Sequence, residues 1–254
     1  MDHPVGHPAV EYAVEHALDN PVWNALAGPH AHFSVGHGRA RHYLRDVAPF
    51  SAIAEATEAA YADLGASLPA GSEARLFRTA AEPLPEGWVQ VEEYPILQMV
   101  AAQPGSEPSE GAPDDMPRHR GPLGAVDVRP LGSADAAAML ELVAIAQPGP
   151  FAGRTVELGG YIGVREGGRL VAMAGHRMRV SGHSEISAIC THPEARGRGL
   201  GELLTRRLMN ETFARGEQPF LHVRLDNPGA IALYHRLGFK VRREMRVMWR
   251  RPAD

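Results

Sequence analysis

Apolar and polar residues alternate along this chain in patterns that change several times between helical and strand spacing. Near the start, Val10, Val14, Ala17 and Leu18 fall on one helical face, and Asn20-Pro21 is expected to end that helix. Phe33 to Val35 and Arg41 to Leu44 read as short strands, while Ile53, Ala56, Ala60 and Leu64 mark a second amphipathic helix. Arg75 to Thr79, Trp88 to Val91 and Ile96 to Val100 read as further strands. Beyond residue 125 the pattern is clearer. Val126 to Arg129 predicts a strand, and Ser133 with Asp135 opens a helix through Ile145 that Pro148 stops. Tyr161 to Arg165, the turn Glu166-Gly167-Gly168-Arg169 and Leu170 to Val180 form a hairpin signal, and Ser184 to Thr191 is a third strand. A helix from Gly199 to about Ala214, a strand at Phe220 to Arg224, a helix from Pro228 to Arg236 and a final strand pair from Phe239 complete the order β-α-β-β-β-α-β-α-β.

Composition divides this pattern in two. Residues 103–124 hold 5 Pro and 4 Gly in 22 positions and almost no large apolar side chain, so they cannot bury enough surface to repay ordering and read as a linker. The expected organisation is a first domain at 1–102, the linker, and a second domain at 125–254. Charge changes sign at the same place. The net charge of −4 separates into −10 over residues 1–124 and +6 over residues 125–254, so the second half is the place to look for an anionic ligand. A weak repeat also links the halves: Gly87-Trp88 with Glu93 and Ile96 recurs as Gly238-Phe239 with Glu244 and Val247, at an offset of 151 residues.

The same counts narrow the function classes. The 254 residues, 44% hydrophobic and 22% charged, exclude a disordered, collagen-like or disulfide-stapled chain. No apolar stretch is long enough to span a bilayer, and the first residues lack the features of a signal peptide. Cys190, the single cysteine, cannot form an internal disulfide, which points to a reducing cytoplasm. Dispersed arginines in an acidic chain argue against a nucleic-acid partner. The histidines His30, His32, His37 and His42 invite a metal reading, but no cysteine joins them and no H-E-x-x-H frame exists, so no metal is expected.

The most informative stretch is Arg196-Gly197-Arg198-Gly199-Leu200-Gly201, which follows a strand and opens a helix. Glycines allow close backbone approach, and the first helical N–H groups lack intrahelical partners, a combination that cradles phosphate. No G-x-G-x-x-G or G-x-x-x-x-G-K-[ST] pattern is present. The stretch instead resembles motif A of the GNAT superfamily of N-acetyltransferases, [Arg/Gln]-x-x-Gly-x-[Gly/Ala], through Arg196, Gly199 and Gly201. The preceding Thr191-His192-Pro193-Glu194 resembles the lead-in to that motif. Asn227, Ala230, Leu233-Tyr234 and Gly238-Phe239 resemble motif B, and the likeness covers roughly residues 125–250.

This resemblance implies an α/β (α+β) fold with a mixed, mostly antiparallel sheet flanked by helices and with splayed central strands. It implies acetyl-CoA as cosubstrate. Backbone N–H groups of Arg196, Gly197, Arg198, Gly199, Leu200 and Gly201 would hold its pyrophosphate, and its pantetheine arm would pair with backbone near Ile189, Cys190 and Thr191. Tyr234 matches the usual general acid. Glu185 stands where the histone-acetyltransferase branch carries its glutamate base, and strand alternation places it on one face with Ser187 and Ile189, with a pKa raised by burial. His183, His192 and His222 are the other base candidates. Asn227 is expected to bond the pantetheine or splayed backbone, or to cap the helix at Pro228. The first half resembles the degenerate half of tandem GNAT proteins related to glycine N-acyltransferases, and it would wall the acceptor site. The expected acceptor is an amine of a small molecule or peptide, with the acidic first half favouring a cationic one. A non-catalytic CoA-binding module, transfer of a longer acyl group, and a homodimer stay open.

Overall fold

The computed structural model describes residues 16–101 and 126–253. Val10 and Val14 of the first expected helix lie outside the described residues, as does the whole segment 103–124. The first half runs α1 (Pro21–Ala27), β1 (Ser34–Val35), β2 (Ala40–Tyr43), β3 (Ser51–Ile53), α2 (Glu58–Ser67), β4 (Ala74–Arg78) and β5 (Trp88–Ala101). The second runs β6 (Val128–Pro130), α3 (Ala136–Ala146), β7 (Ile162–Glu166), β8 (Arg169–Val180), β9 (His183–Thr191), α4 (Leu200–Ala214), β10 (Gln218–Arg224), α5 (Pro228–Arg236) and β11 (Phe239–Pro252).

Several boundaries differ from the sequence reading for definite reasons. Pro21 starts a helix rather than ending one, because proline at the first helical position lacks only an N–H that would have no partner there. The Asn20 side chain donates instead to the Ile53 carbonyl at 2.8 Å. Ile53 belongs to a strand, and α2 begins after Thr57, whose hydroxyl accepts from the Ala60 N–H. The two strands expected on either side of Glu92 and Glu93 are one strand of 14 residues, in which both carboxylates reach solvent. The strand pair expected from Phe239 is likewise a single 14-residue strand. Its partner comes from the first half of the chain.

Eight strands form the main sheet in the order β4-β11-β5-β10-β9-β8-β7-β6, and β1-β2-β3 form a smaller one. Every pairing in the main sheet is antiparallel except β9 with β10. Strand β8 is buried almost throughout, as a strand covered on both faces should be. One face packs Ala174, Ile186, Leu221 and Phe239 beneath Leu200, Leu204 and Leu208 of α4. The other packs Met173, Tyr161 and Cys190 against α3, and Met178, Phe220 and Met245 against Phe50, Phe77 and α1 of the first half.

Because β5 lies between β10 and β11, the two halves share one sheet. Trp88 pairs with Pro252 and Ala101 with Phe239. An offset of 151 residues carries Trp88 onto Phe239 and Ala101 onto Pro252, so exchanging β5 and β11 leaves their register unchanged. The offset is the one found in the sequence repeat.

Candidate acyl-transfer site

Strands β9 and β10 pair only at His183 with Gln218, Ser184 with Pro219 and Glu185 with Phe220. Both strands continue, β9 to Thr191 and β10 to Arg224, without further pairing to each other. A bulge in β9 accompanies this departure: Ser187 faces Gly175 and Cys190 faces Met173 on β8, leaving one extra residue in β9. Ala188 absorbs it with a left-handed φ of 52°. The bulge corrects the expected facing. Ile186 and Ile189 both pack with α4, whereas Ala188 and Cys190 pack on the α3 side, so Glu185 does not share a face with Ile189.

At the end of β9 the chain turns into the glycine loop. Gly197 and Gly199 have φ of 74° and 75°, and Gly199 stands at the N-cap of α4. The N–H groups of Leu200, Gly201 and Glu202 begin the helix with no intrahelical carbonyl to bond. A Cβ on Gly201 would fall 3.7 Å from Ile189 Cγ2 and 3.9 Å from Thr191 Oγ1, so the helix start rests directly on β9. Arg196 is exposed, with Nε 3.4 Å from the Thr191 carbonyl. The Arg198 side chain pairs with Glu166 of the β7–β8 hairpin. Thus the Arg196–Gly201 stretch follows directly on the end of β9, next to the unpaired part of that strand that holds Ile189 and Thr191. The Cys190 side chain turns away into the core, where burial pushes its thiol up to about 12.

Tyr234 is 8% exposed on α5 and packs edge-on to Phe239 at 5.9 Å between centroids. Burial pushes its phenol up to about 12, which keeps the proton on at neutral pH. Asn227 is exposed, and its side-chain oxygen accepts from the Ala230 N–H at 3.1 Å, capping α5.

Glu185 requires a correction. It is 0% exposed, and its oxygens accept from Arg177 Nη2 at 2.5 Å and Nε at 2.9 Å. His222 Nδ1 lies 2.8 Å from the same carboxylate. Burial alone would raise the Glu185 pKa, but the Arg177 charge and His222 outweigh it and hold the carboxyl at about 2. A carboxylate so held does not accept a proton near neutral pH, contrary to the raised pKa expected of a base. Burial lowers the pKa of His222, consistent with a neutral ring that donates to Glu185 and accepts from Gln98 Nε2 at 3.0 Å. Gln98 in turn accepts from Arg242, which pairs with Asp19. The row Arg177, Glu185, His222, Gln98 and Arg242 crosses five strands and ties β5 of the first half to β9. The sequence offered no spacing signal for Arg177 as the partner of Glu185.

A cavity of about 240 Å³ opens where β8 runs past the start of β7, lined by Gly160, His176, Arg177, Arg179, Ser184 and Arg215. It lies at the opposite end of β9 from the glycine loop. Its three arginines pair with two carboxylates, Glu185 and Glu217, and all of its lining residues belong to the second half. His30 and His42 are spent on Tyr43 and Ser67, and no cluster of three or more metal-ligating side chains occurs among the described residues. No helix there is long and apolar enough to cross a membrane.

The fold agrees with the comparisons. The chain is 35% identical to an acetyltransferase of the GNAT family from Novosphingobium aromaticivorans, whose crystal structure superimposes with a TM-score of 0.80 over 94% of this chain and 100% of that one. The chain belongs to the GNAT family. The model of the family described as FR47-like protein matches residues 161–248, the segment that carries the gap, the loop and Tyr234. The N-alpha-acetyltransferase RimI of Mycobacterium tuberculosis is 41% identical over 85 residues, which are 32% of this chain and 51% of that protein. This GNAT chain therefore spans about half the length of that curated relative. A GCN5-related N-acetyltransferase from Kribbella flavida shares the fold, at 20% identity and a TM-score of 0.55 over 87% of this chain and 90% of that one.

Proposed function

We propose that this GNAT acyltransferase moves an acetyl group from acetyl-CoA to a primary amine by direct attack on the thioester. The observation that carries the reading is the gap between β9 and β10 running into the Arg196–Gly201 loop. The N–H groups there and the positive end of α4 suit a pyrophosphate. The edge of β9 that β10 leaves near Ile189 and Thr191 suits the amides of a pantetheine arm, and the +6 of residues 125–254 suits the phosphates.

In this reading the gap holds the thioester carbonyl within reach of the incoming amine, which supplies orientation. The new C–N bond forms as the C–S bond breaks, and Tyr234 gives its proton to the departing sulfur. Glu185 keeps its negative charge against Arg177 throughout, so the proton of the amine passes to solvent. Cys190 takes no part, being turned into the core. The 85-residue likeness to RimI favours the terminal amine of a peptide as acceptor.

The first half is proposed to be a degenerate copy of the same fold, joined by 103–124, that lends β5 to the sheet of the second. The exchange symmetry of the β5–β11 register supports this. A panel of peptide and small-molecule amines, assayed for CoA release from acetyl-CoA, tests the activity. Release with one class of amine is the expected result. Tight CoA binding without release from any acceptor would favour a regulatory CoA-binding module, and release only from longer thioesters would change the acyl group assigned.

A further inference from the structure

The hydroxyl of Tyr161 is a buried polar group that the mechanism above leaves unused. Tyr161 is 2% exposed, and its Oη has no hydrogen-bond partner among the described residues. A buried hydroxyl without a partner is costly, and phenylalanine would fill the same space without that cost.

Its position follows from strand register. Ile162 pairs with Ala174, so Tyr161, the residue before it, stands across from Gly175, and Gly175 pairs on its other side with Ser187 of β9. The ring lies on Gly175: a Cβ built there would fall 2.3 Å from Tyr161 Cδ1. Glycine is required at this central position because the ring crosses β8 on its way toward β9. The ring edge meets Phe151 at 5.7 Å between centroids, which fixes it from outside. Tyr161 packs with Cys190 and Ala188 of β9 on the α3 side of the sheet, and burial raises its pKa so that it stays protonated. Ser187 is two residues past the last pairing of β9 with β10. The ring therefore runs across β8 toward the part of β9 that no longer pairs with β10.

We propose that Tyr161 Oη donates a hydrogen bond to the carbonyl oxygen of the acyl thioester. The assignment rests on the acyl-CoA reading above. No bond to Tyr161 forms or breaks; as the amine attacks, negative charge collects on that oxygen, and a fixed donor in a dry site stabilises it.

Calorimetric titration of the full chain with CoA and with acetyl-CoA tests the proposal, in the wild type and in Tyr161→Phe. The variant should bind CoA as the wild type does and bind acetyl-CoA about tenfold more weakly. Its melting temperature without ligand should be unchanged or higher, since no bond within the protein is lost. With carbonyl-labelled acetyl-CoA, the infrared carbonyl frequency should be lower on the wild type than on the variant, a difference that a packing role would not produce. An unchanged ratio of acetyl-CoA to CoA affinity, or equal carbonyl frequencies, would overturn the role of Tyr161 and leave the acyl-CoA reading intact. A wild type that binds neither thioester nor CoA would overturn both.

Discussion

The Arg177 guanidinium grips the Glu185 carboxylate through two hydrogen bonds of 2.5 and 2.9 Å in a place where Glu185 has no solvent contact. Such a pair gains little over a well-packed apolar pair, but breaking it strands a buried charge. Glu185→Ala or Arg177→Ala should each destabilise the protein by about 3–5 kcal/mol, whereas Glu185→Leu combined with Arg177→Met should recover much of the loss. Denaturant midpoints measure this. Acyl transfer retained by the double variant would show that Glu185 is not the base, and turnover abolished in a stable double variant would restore that role.

Glycine is needed at 199 for backbone reasons but not at 201. With φ at 75°, Gly199→Val would strain the N-cap by about 1–3 kcal/mol and should abolish CoA binding measured by calorimetry. A Cβ on Gly201 meets Ile189 only at ordinary contact distance, so Gly201→Ala should keep CoA affinity and stabilise α4 by about 0.5–1 kcal/mol. Equal effects at the two positions would remove the loop conformation from the account.

Tyr234 stays protonated with a pKa of about 12, as a proton donor to the departing thiolate must. Tyr234→Phe should lower kcat by about 10²–10⁴-fold with little change in CoA affinity. Steady-state rates beside calorimetry separate the two quantities, and an undiminished kcat would take Tyr234 out of the mechanism.

What could be read in the sequence was local. Helix α5 is legible to the residue because Asn227 caps it, Pro228 occupies its first turn and Gly238 follows it, and the glycine loop is legible because only glycine takes φ near 75° without strain. The facing of Ile189 was not, since nothing about Ala188 announces a left-handed residue that breaks alternation. The grip of Arg177 on Glu185 and the reach of Tyr161 across Gly175 depend on which strands become neighbours. That neighbourhood is set by long-range pairing, which periodicity does not encode.

Two buried histidines predict a particular acid sensitivity. Burial lowers His30 and His176 from 6.5 to about 4, so the folded protein keeps both neutral. Above pH 6.5 neither affects the slope of stability with pH. Between 6.5 and 4 the unfolded chain takes up protons that the folded one refuses, and stability falls with pH by about 3 kcal/mol for each histidine. The Glu185 contribution is lost later, from about 4.5 down to about 2. Denaturant midpoints at pH 7 and 4.5 should show the first loss, and His176→Gln should remove about half of it. A midpoint constant over that range would mean that these rings titrate normally.

The second half depends on the first for a central strand of its sheet. Strand β5 pairs with β10 from Phe220 to Arg224 and with β11 along the whole of its length. Without it, both neighbours would present unpaired edges, and Phe220 and Met245 would lose Phe50, Phe77 and α1 as cover. Residues 125–254 expressed alone should therefore aggregate or remain unfolded, and co-expression with residues 1–102 should restore a soluble complex. Circular dichroism and sedimentation of the fragment decide the matter. A soluble monomer with its own cooperative melting transition would show that β5 is dispensable and that the halves fold separately; a melt that appears only with the partner fragment would make the shared sheet the unit of folding.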